Sequence, residues 1–280
     1  VQSGFSKMGL SEEGGVGKVR EMASFDGLFE ENDRRGKSLH KRVPSVKVEN
    51  LRINYDDLLV VDGISFEVFK GEVISLLGPS GCGKTSIIKA ILGLVDFEGV
   101  IERNGEGIGY MPQKDILFDW MDALDNASLP LILKGEKKEK ARGIAREMFK
   151  EFGLEGFEDK KPYQLSGGMR QRLSFIRAIL SGRDILLLDE PFGAVDAYTR
   201  RHLQLWLSRN LEKLGGAIIM VTHNVEEAIF LSDRIFILSD KPARVMEEIT
   251  VPLKRPRCLD TFGSPVFSKL EKEVMEVIFS

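Results

Sequence analysis

Cysteine is almost missing: Cys82 and Cys258 are the only two in 280 residues. That excludes a disulfide framework and a cysteine-rich metal site, and a reducing intracellular setting fits best. Excess charge of either sign is missing as well. The 40 basic and 43 acidic side chains leave a net charge of −3, which argues against a general electrostatic nucleic-acid binder, although it leaves room for a local basic patch. No uninterrupted apolar run approaches the roughly 20 residues needed to cross a bilayer. Residues 1–20 lack the basic start and apolar block of a signal peptide, so any membrane role is expected to be peripheral. An initiator methionine is missing too, which implies processing, a vector scar or an incomplete start, with Met8 and Met22 as candidate starts. Internal duplication and coiled-coil-length repeats are not found.

What is present is enough chain to bury a substantial core, as one large domain or one domain with a subdomain. Residues 1–45 are rich in Gly, Ser, Lys and Glu without a sustained period. They read as a flexible extension, with a short docked helix around Phe25 to Phe29 as the alternative. Val46 to Tyr55 reads as an edge strand, Leu59 to Phe69 as a second strand, and Glu72 to Leu77 as a buried one. Asn104-Gly105, between the extended segments 99–103 and 107–111, is a hairpin signal. Lys137 to Phe152 carries Ala141, Ala145, Met148 and Phe152 at spacings of four, three and four, an amphipathic helix. Strands at Ile185 to Leu188, Ala217 to Val221 and Arg234 to Leu238 alternate with helices at Thr199 to Leu214 and Val225 to Leu231. This predicts a largely parallel sheet covered by helices, with a helix-rich middle inserted into it. A last helix, Pro265 to Ile278, places Phe267, Leu270, Val274 and Val277 near one face, for packing on the body or for binding a partner.

The chemistry centres on Gly78-Pro79-Ser80-Gly81-Cys82-Gly83-Lys84-Thr85-Ser86, which follows a predicted strand and opens a predicted helix. Gly78, four residues, Gly83, Lys84 and Thr85 is the spacing of a phosphate-binding loop. Glycines let backbone N–H groups turn onto oxyanions, the helix adds its positive end, Lys84 reaches the outer phosphates, and the Thr85 hydroxyl can ligate Mg²⁺. Asp189, at the end of an apolar strand, is placed by fold logic to hold Mg²⁺ directly or through water. Glu190 beside it can polarise an attacking water. His223, at the end of another strand, can reach the γ-phosphate or order Glu190 and water; a helix-start or core role is the plainer alternative. Gln113 can ligate Mg²⁺ or position water, and alone reads as a surface residue. In Leu165-Ser166-Gly167-Gly168-Met169-Arg170-Gln171-Arg172, Ser166 can cap a helix while Gly167 and Gly168 expose N–H groups to an anion. A simple cap explains these residues equally well.

Taken together, the phosphate loop, Gln113, LSGGMRQR at 165–172, ILLLDEP at 185–191, GAVDA at 193–197 and His223 resemble, in order, the nucleotide-binding subunits of ATP-binding-cassette (ABC) transporters over about residues 46–240. The resemblance implies an α/β fold of the P-loop NTPase type: a mainly parallel sheet, an antiparallel β-subdomain, and a helical subdomain inserted at about 115–181. The domain itself would span 46–280, with a C-terminal helix at about 265–278. It further implies that Tyr55 stacks on adenine and that Gln113 links the nucleotide to a membrane partner. Ser166 to Gly168 would contact the ATP held by the other subunit, with Asp196 communicating across the dimer, Glu190 as the catalytic carboxylate and His223 as the switch histidine. Met169 in place of the commoner glutamine, with the surrounds of 192–200 and 222–228, is similar to the branch importing nitrate, sulfonates and taurine; Val195 and Asn224 depart from its commoner Leu and Asp. The implied ligands are ATP and Mg²⁺. The implied partners are a second copy, integral membrane permease subunits and, indirectly, a solute-binding protein, at the cytoplasmic face of the membrane. A non-transport ATPase of the superfamily and a weakly active regulatory ATP-binding module are the competing readings.

Overall fold

The computed structural model describes residues 43–105, 107–182 and 184–280; the expected extension, apart from residues 43–45, lies outside them, as does the alternative helix at Phe25 to Phe29. Among the described residues nine strands make two sheets. In the smaller, β1 (Val46–Tyr55) lies between β2 (Leu58–Val68) and β4 (Glu98–Arg103), antiparallel to both. The first strand is therefore central, not the edge expected from its pattern. Its inward residues Val46, Val48, Leu51 and Ile53 are buried while its backbone is paired on both sides.

The larger sheet runs β5 (Ile108–Met111), β6 (Ile185–Asp189), β7 (Ala217–Thr222), β3 (Val73–Leu77), β8 (Arg234–Leu238), β9 (Val245–Thr250). The first five are mutually parallel and β9 is antiparallel. β9 was not anticipated: its residues Val-Met-Glu-Glu-Ile-Thr carry two glutamates and mostly face out, as an edge strand permits. The central strands β3, β6 and β7 are buried at every position, which is why they read as continuous apolar runs instead of alternating ones.

Asn104-Gly105 is not a hairpin. β4 pairs in the small sheet and β5 in the large one, and Asn104 is committed elsewhere: its backbone N–H donates to Ser45 O at 2.8 Å and its side-chain amide to Pro44 O at 2.9 Å. The turn chemistry is real, but it hands the chain from one sheet to the other.

Seven α-helices complete the described chain: α1 (Lys84–Leu92), α2 (Ala123–Leu133), α3 (Lys138–Glu151), α4 (Gly167–Leu180), α5 (Ala197–Leu214), α6 (Val225–Leu231) and α7 (Pro265–Ile278). α1 starts three residues before the apolar run that announced it, because the phosphate loop itself supplies the first turn. Side chains close most helix starts: Asp122, Ser166, Asp196, Asn224 and Ser264 each accept a hydrogen bond from a first-turn N–H. α7 buries Phe267, Leu270 and Val274, with Val277 half-buried, and the Phe267 ring lies 5.2 Å from that of Phe262. Its apolar face is thus spent on the body of the chain. No described helix is long and apolar enough to cross a membrane.

Candidate nucleotide site

Parallel strands deliver their loops to one edge, and the order β5-β6-β7-β3 decides what meets there. β3 ends in the phosphate loop, β6 in Asp189 and Glu190, β7 in His223, and β5 leads to Gln113. Residues far apart in sequence are brought together by strand adjacency alone.

The loop between β3 and α1 closes tightly. A Cβ on Gly78 would stand 3.0 Å from Leu238 O, and Gly83, at φ +127°, would press a Cβ to 3.0 Å from Val60 Cγ1, so neither position tolerates a side chain easily. Lys84 is 4 % exposed and folds back over its own loop, donating to Gly78 O at 2.7 Å and Pro79 O at 2.6 Å. Cys82 is buried beneath the loop, with Sγ 3.9 Å from Lys84 Nζ. In front of the loop lies a cleft of about 300 Å³, lined by Tyr55, Leu58, Val60, Ser80, Gly81, Gly83 to Ser86, Gln113, Glu190 and Lys241. Tyr55 is partly exposed and its hydroxyl lies 3.2 Å from Ser86 Oγ. Leu58, Val60 and Lys241 were not singled out from the sequence, since strand residues and a surface lysine carry no motif.

Asp189 is fully buried and neither carboxylate oxygen completes a hydrogen bond. Burial pushes its carboxyl up; the neighbouring Thr85 hydroxyl and the Lys84 charge oppose this. An unsatisfied buried carboxylate is costly unless a ligand completes it. Beside a hydroxyl and an ammonium, at the floor of a phosphate loop, the missing partner fits a hard divalent cation. Such a cation takes one carboxylate, one hydroxyl and the substrate's phosphates instead of an all-protein cage. The charge of Asp189 is felt on the adjacent strand β5: burial, with Asp189 adding to it, pushes the Tyr110 phenol up to about 12.

Glu190 is held on every side. Its backbone has φ 50°, a left-handed value rare for a side-chain-bearing residue. The strain is retained because its N–H donates to Val221 O at 2.9 Å, and its carbonyl accepts from Gly193 N at 3.2 Å and Gln171 Nε2 at 2.9 Å. Its carboxylate stands between Gln113, whose Nε2 donates to Oε2 at 3.2 Å, and His223, whose Nδ1 lies 3.3 Å from Oε1. Gln171 is a residue the sequence reading missed. Buried in α4, it also accepts from Ala194 N at 2.7 Å, and so clamps the turn after Glu190 from both ends.

Ser166 to Gly168 and Asp196 stand apart from the cleft. Ser166 and Gly167 are exposed, and the Ser166 hydroxyl caps α4 through Met169 N at 3.3 Å. Asp196, also exposed, caps α5 through Thr199 N at 3.0 Å. Hydrogen bonding to that N–H holds the Asp196 carboxyl below its ordinary range.

Comparison with known proteins agrees with this geometry. A family model described as ABC transporter matches residues 61–193. A formylaminopyrimidine import ATP-binding protein, ThiZ, of Halalkalibacterium halodurans is 42% identical over 72% of this chain and 82% of the relative. An aliphatic sulfonates import ATP-binding protein, SsuB, of Bacillus cereus is 40% identical over 78% and 87%, and a taurine import ATP-binding protein, TauB, of Jannaschia sp. is 32% identical over 83% and 93%. Among solved structures, the dimeric bacterial ABC transporter cassette MJ0796 aligns with TM-score 0.68 and 29% identity, covering 75% of this chain and all of that one. With identities of 32–42% over most of its length to these relatives and a fold shared with that cassette, this chain belongs to the ATP-binding subunits of ABC transporters.

Proposed function

We propose that the protein binds and hydrolyses ATP as a peripheral subunit on the cytoplasmic face of a membrane, where two copies close on two ATP molecules and drive import of a small solute through separate permease subunits. The observation that carries the hydrolytic reading is the strained Glu190, its carboxylate held between Gln113 and His223 at the mouth of the phosphate-loop cleft. Import is supported by the names of the relatives, which take up taurine, aliphatic sulfonates or a formylaminopyrimidine.

In this reading Lys84 leaves the carbonyls of Gly78 and Pro79 for the outer phosphates, and the loop N–H groups hold the oxyanions. Thr85 and Asp189, with Gln113, would hold Mg²⁺, which would supply positive charge to offset that of the phosphates. Tyr55, which lines the cleft, stacks on the base. Glu190 takes a proton from the attacking water as its oxygen bonds to the γ-phosphorus and the bond to the bridging oxygen breaks, while His223 keeps the carboxylate aimed. Ser166 to Gly168, turned away from their own cleft, complete the site of the second copy, and Asp196 senses it.

The permease is expected near Phe118 and Trp120, whose rings lie 5.0 Å apart and whose segment is pinned by Asn126 through both Phe118 N and Phe118 O. Trp120 is 74 % exposed. In the sequence Phe118, Trp120 and Leu124 form an apolar cluster after Gln113 that suggests a groove for a short permease helix, but Leu124 is fully buried; it packs within the protein, so it is not part of that surface.

Phosphate release from Mg²⁺-ATP by the purified protein tests the reading. Glu190→Gln should keep nucleotide binding and lose roughly 100-fold or more of turnover, the range of a lost general base. Turnover near that of the unaltered protein in a folded Glu190→Gln variant would refute the assignment.

A further inference from the structure

His223 is flanked by residues that are tied down, and the ties lead to one buried carboxylate. Glu227, on α6, is 5 % exposed. Its Oε2 accepts from Thr222 Oγ1 at 2.8 Å; that hydroxyl oxygen accepts from Asn224 N at 3.0 Å; and Glu227 N donates to Asn224 Oδ1 at 2.9 Å. Residues 222 and 224 are thus fixed on either side of the histidine by Glu227. Its other oxygen, Oε1, faces Arg200 Nε across 3.8 Å. Arg200 belongs to α5 and reaches back to the turn that precedes it, donating from Nη2 to Val195 O at 3.2 Å. Its Nε is buried and makes no hydrogen bond. Arg200, Glu227, Glu190, His223 and Gly193 line a common recess behind the nucleotide cleft, with room of about 40 Å³.

From this arrangement we propose that Arg200 and Glu227 are positioning residues that carry the state of the 193–197 turn to His223 within one subunit. The proposal rests on the reading of Glu190 and His223 given above. The pair stands roughly 1 Å beyond a normal N–H···O distance, so a small displacement of the turn, applied through the Val195 carbonyl, makes or releases a charge-assisted hydrogen bond in a largely buried place. A two-position contact of that kind is what coupling between two loops requires. The second route from the turn, through Gln171 to the backbone of Glu190, meets the imidazole only through the Glu190 carboxylate. Burial pushes the Glu227 carboxyl up, with Thr222 and Arg200 opposing, as expected of a charge that depends on its partner.

Glu227→Gln keeps the shape and the Thr222 bond but removes the charge that Arg200 meets; Arg200→Leu removes the other half. Each should lower kcat roughly tenfold with KM and the Kd for Mg²⁺-ATP within about twofold, since the contact acts on geometry and not on nucleotide. The double variant should be no worse than either single one, because the two residues act as a unit. NMR of the His223 ring, assigned against His223→Ala, supplies a readout independent of turnover: both single variants should move it, and to the same place. Where Arg200→Leu does not fold, Arg200→Lys, which retains charge but not the fork that reaches Val195, takes its place. Unchanged His223 resonances in Glu227→Gln overturn the proposal whatever the activity shows, as do additive losses or a loss confined to KM. The site reading fails separately, if Glu190→Gln retains turnover in the same assay.

Discussion

Lys84 shows how far single residues were legible. Its place in the loop follows from spacing, but its resting contacts, to the carbonyls of Gly78 and Pro79, do not, because the sequence says nothing of what the ammonium touches before a phosphate arrives. Lys84→Ala should weaken ATP binding or abolish turnover while the protein still unfolds cooperatively in calorimetry; near-normal Mg²⁺-dependent turnover would refute its assignment. Gln171, Arg200 and Glu227 were not read as site residues, for a physical reason: each acts on a backbone group or a charge that only the strand order brings near. Glu227 also yields a pH test. Its folded-state pKa is raised by burial, so it contributes stability below its unfolded value near 4.5 that is lost as pH rises through the folded value. Glu227→Gln cannot ionise. Its stability relative to the unaltered protein should therefore improve from pH 4 to pH 8 in urea titrations, and a pH-independent difference would contradict the burial of a titrating carboxylate.

At the level of elements, long periodic segments were readable and pairings were not. α3, α5 and α7 emerged near their predicted bounds because their apolar spacing is helical, whereas the separation of β4 from β5 depends on contacts of Asn104 with Ser45 and Pro44 that no local pattern encodes. The capping residues give element-scale predictions. Ser166→Ala should cost about 1 kcal/mol through the lost α4 cap, measured by urea unfolding. α7 offers a contrast within one helix: Phe267→Ala, removing a ring that is 2 % exposed, should cost about 3–5 kcal/mol, while Val266→Ser, at a position 45 % exposed, should stay within about 0.5 kcal/mol. Equal small effects would mean that α7 is not held by its apolar face. The helical region is joined to the site through rings: Phe152 lies 5.6 Å from Phe175, and Phe175 lies 5.8 Å from Phe192, two residues beyond Glu190. A motion of α4 therefore has a packed route to the turn that follows Glu190.

On the scale of the whole molecule, the separation of two motifs is what the proposed dimer explains. The phosphate loop, Asp189, Glu190 and His223 gather at one sheet edge, but Ser166 and Gly167 lie exposed at the start of α4 and take no part in lining the cleft. Helix N-termini with free N–H groups suit an anion; the occupant proposed above is a second copy's ATP, and mixed dimers test this. Gly167 is the better position to alter, since a Cβ there meets nothing nearer than 3.9 Å, whereas one on Gly168 would stand 3.1 Å from Ala194 O. Gly167→Asp therefore adds negative charge toward the opposing phosphate without a clash inside the subunit, and an acidic residue in the first turn is compatible with α4 itself. A dimer with Lys84→Ala in one subunit and Gly167→Asp in the other concentrates both defects in one composite site and leaves the second intact. A dimer with both changes in the same subunit spoils both sites. ATP trapping should survive at one site in the first dimer and vanish in the second; the reverse, trapping that vanishes in the first and survives in the second, would show that each subunit closes on its own nucleotide.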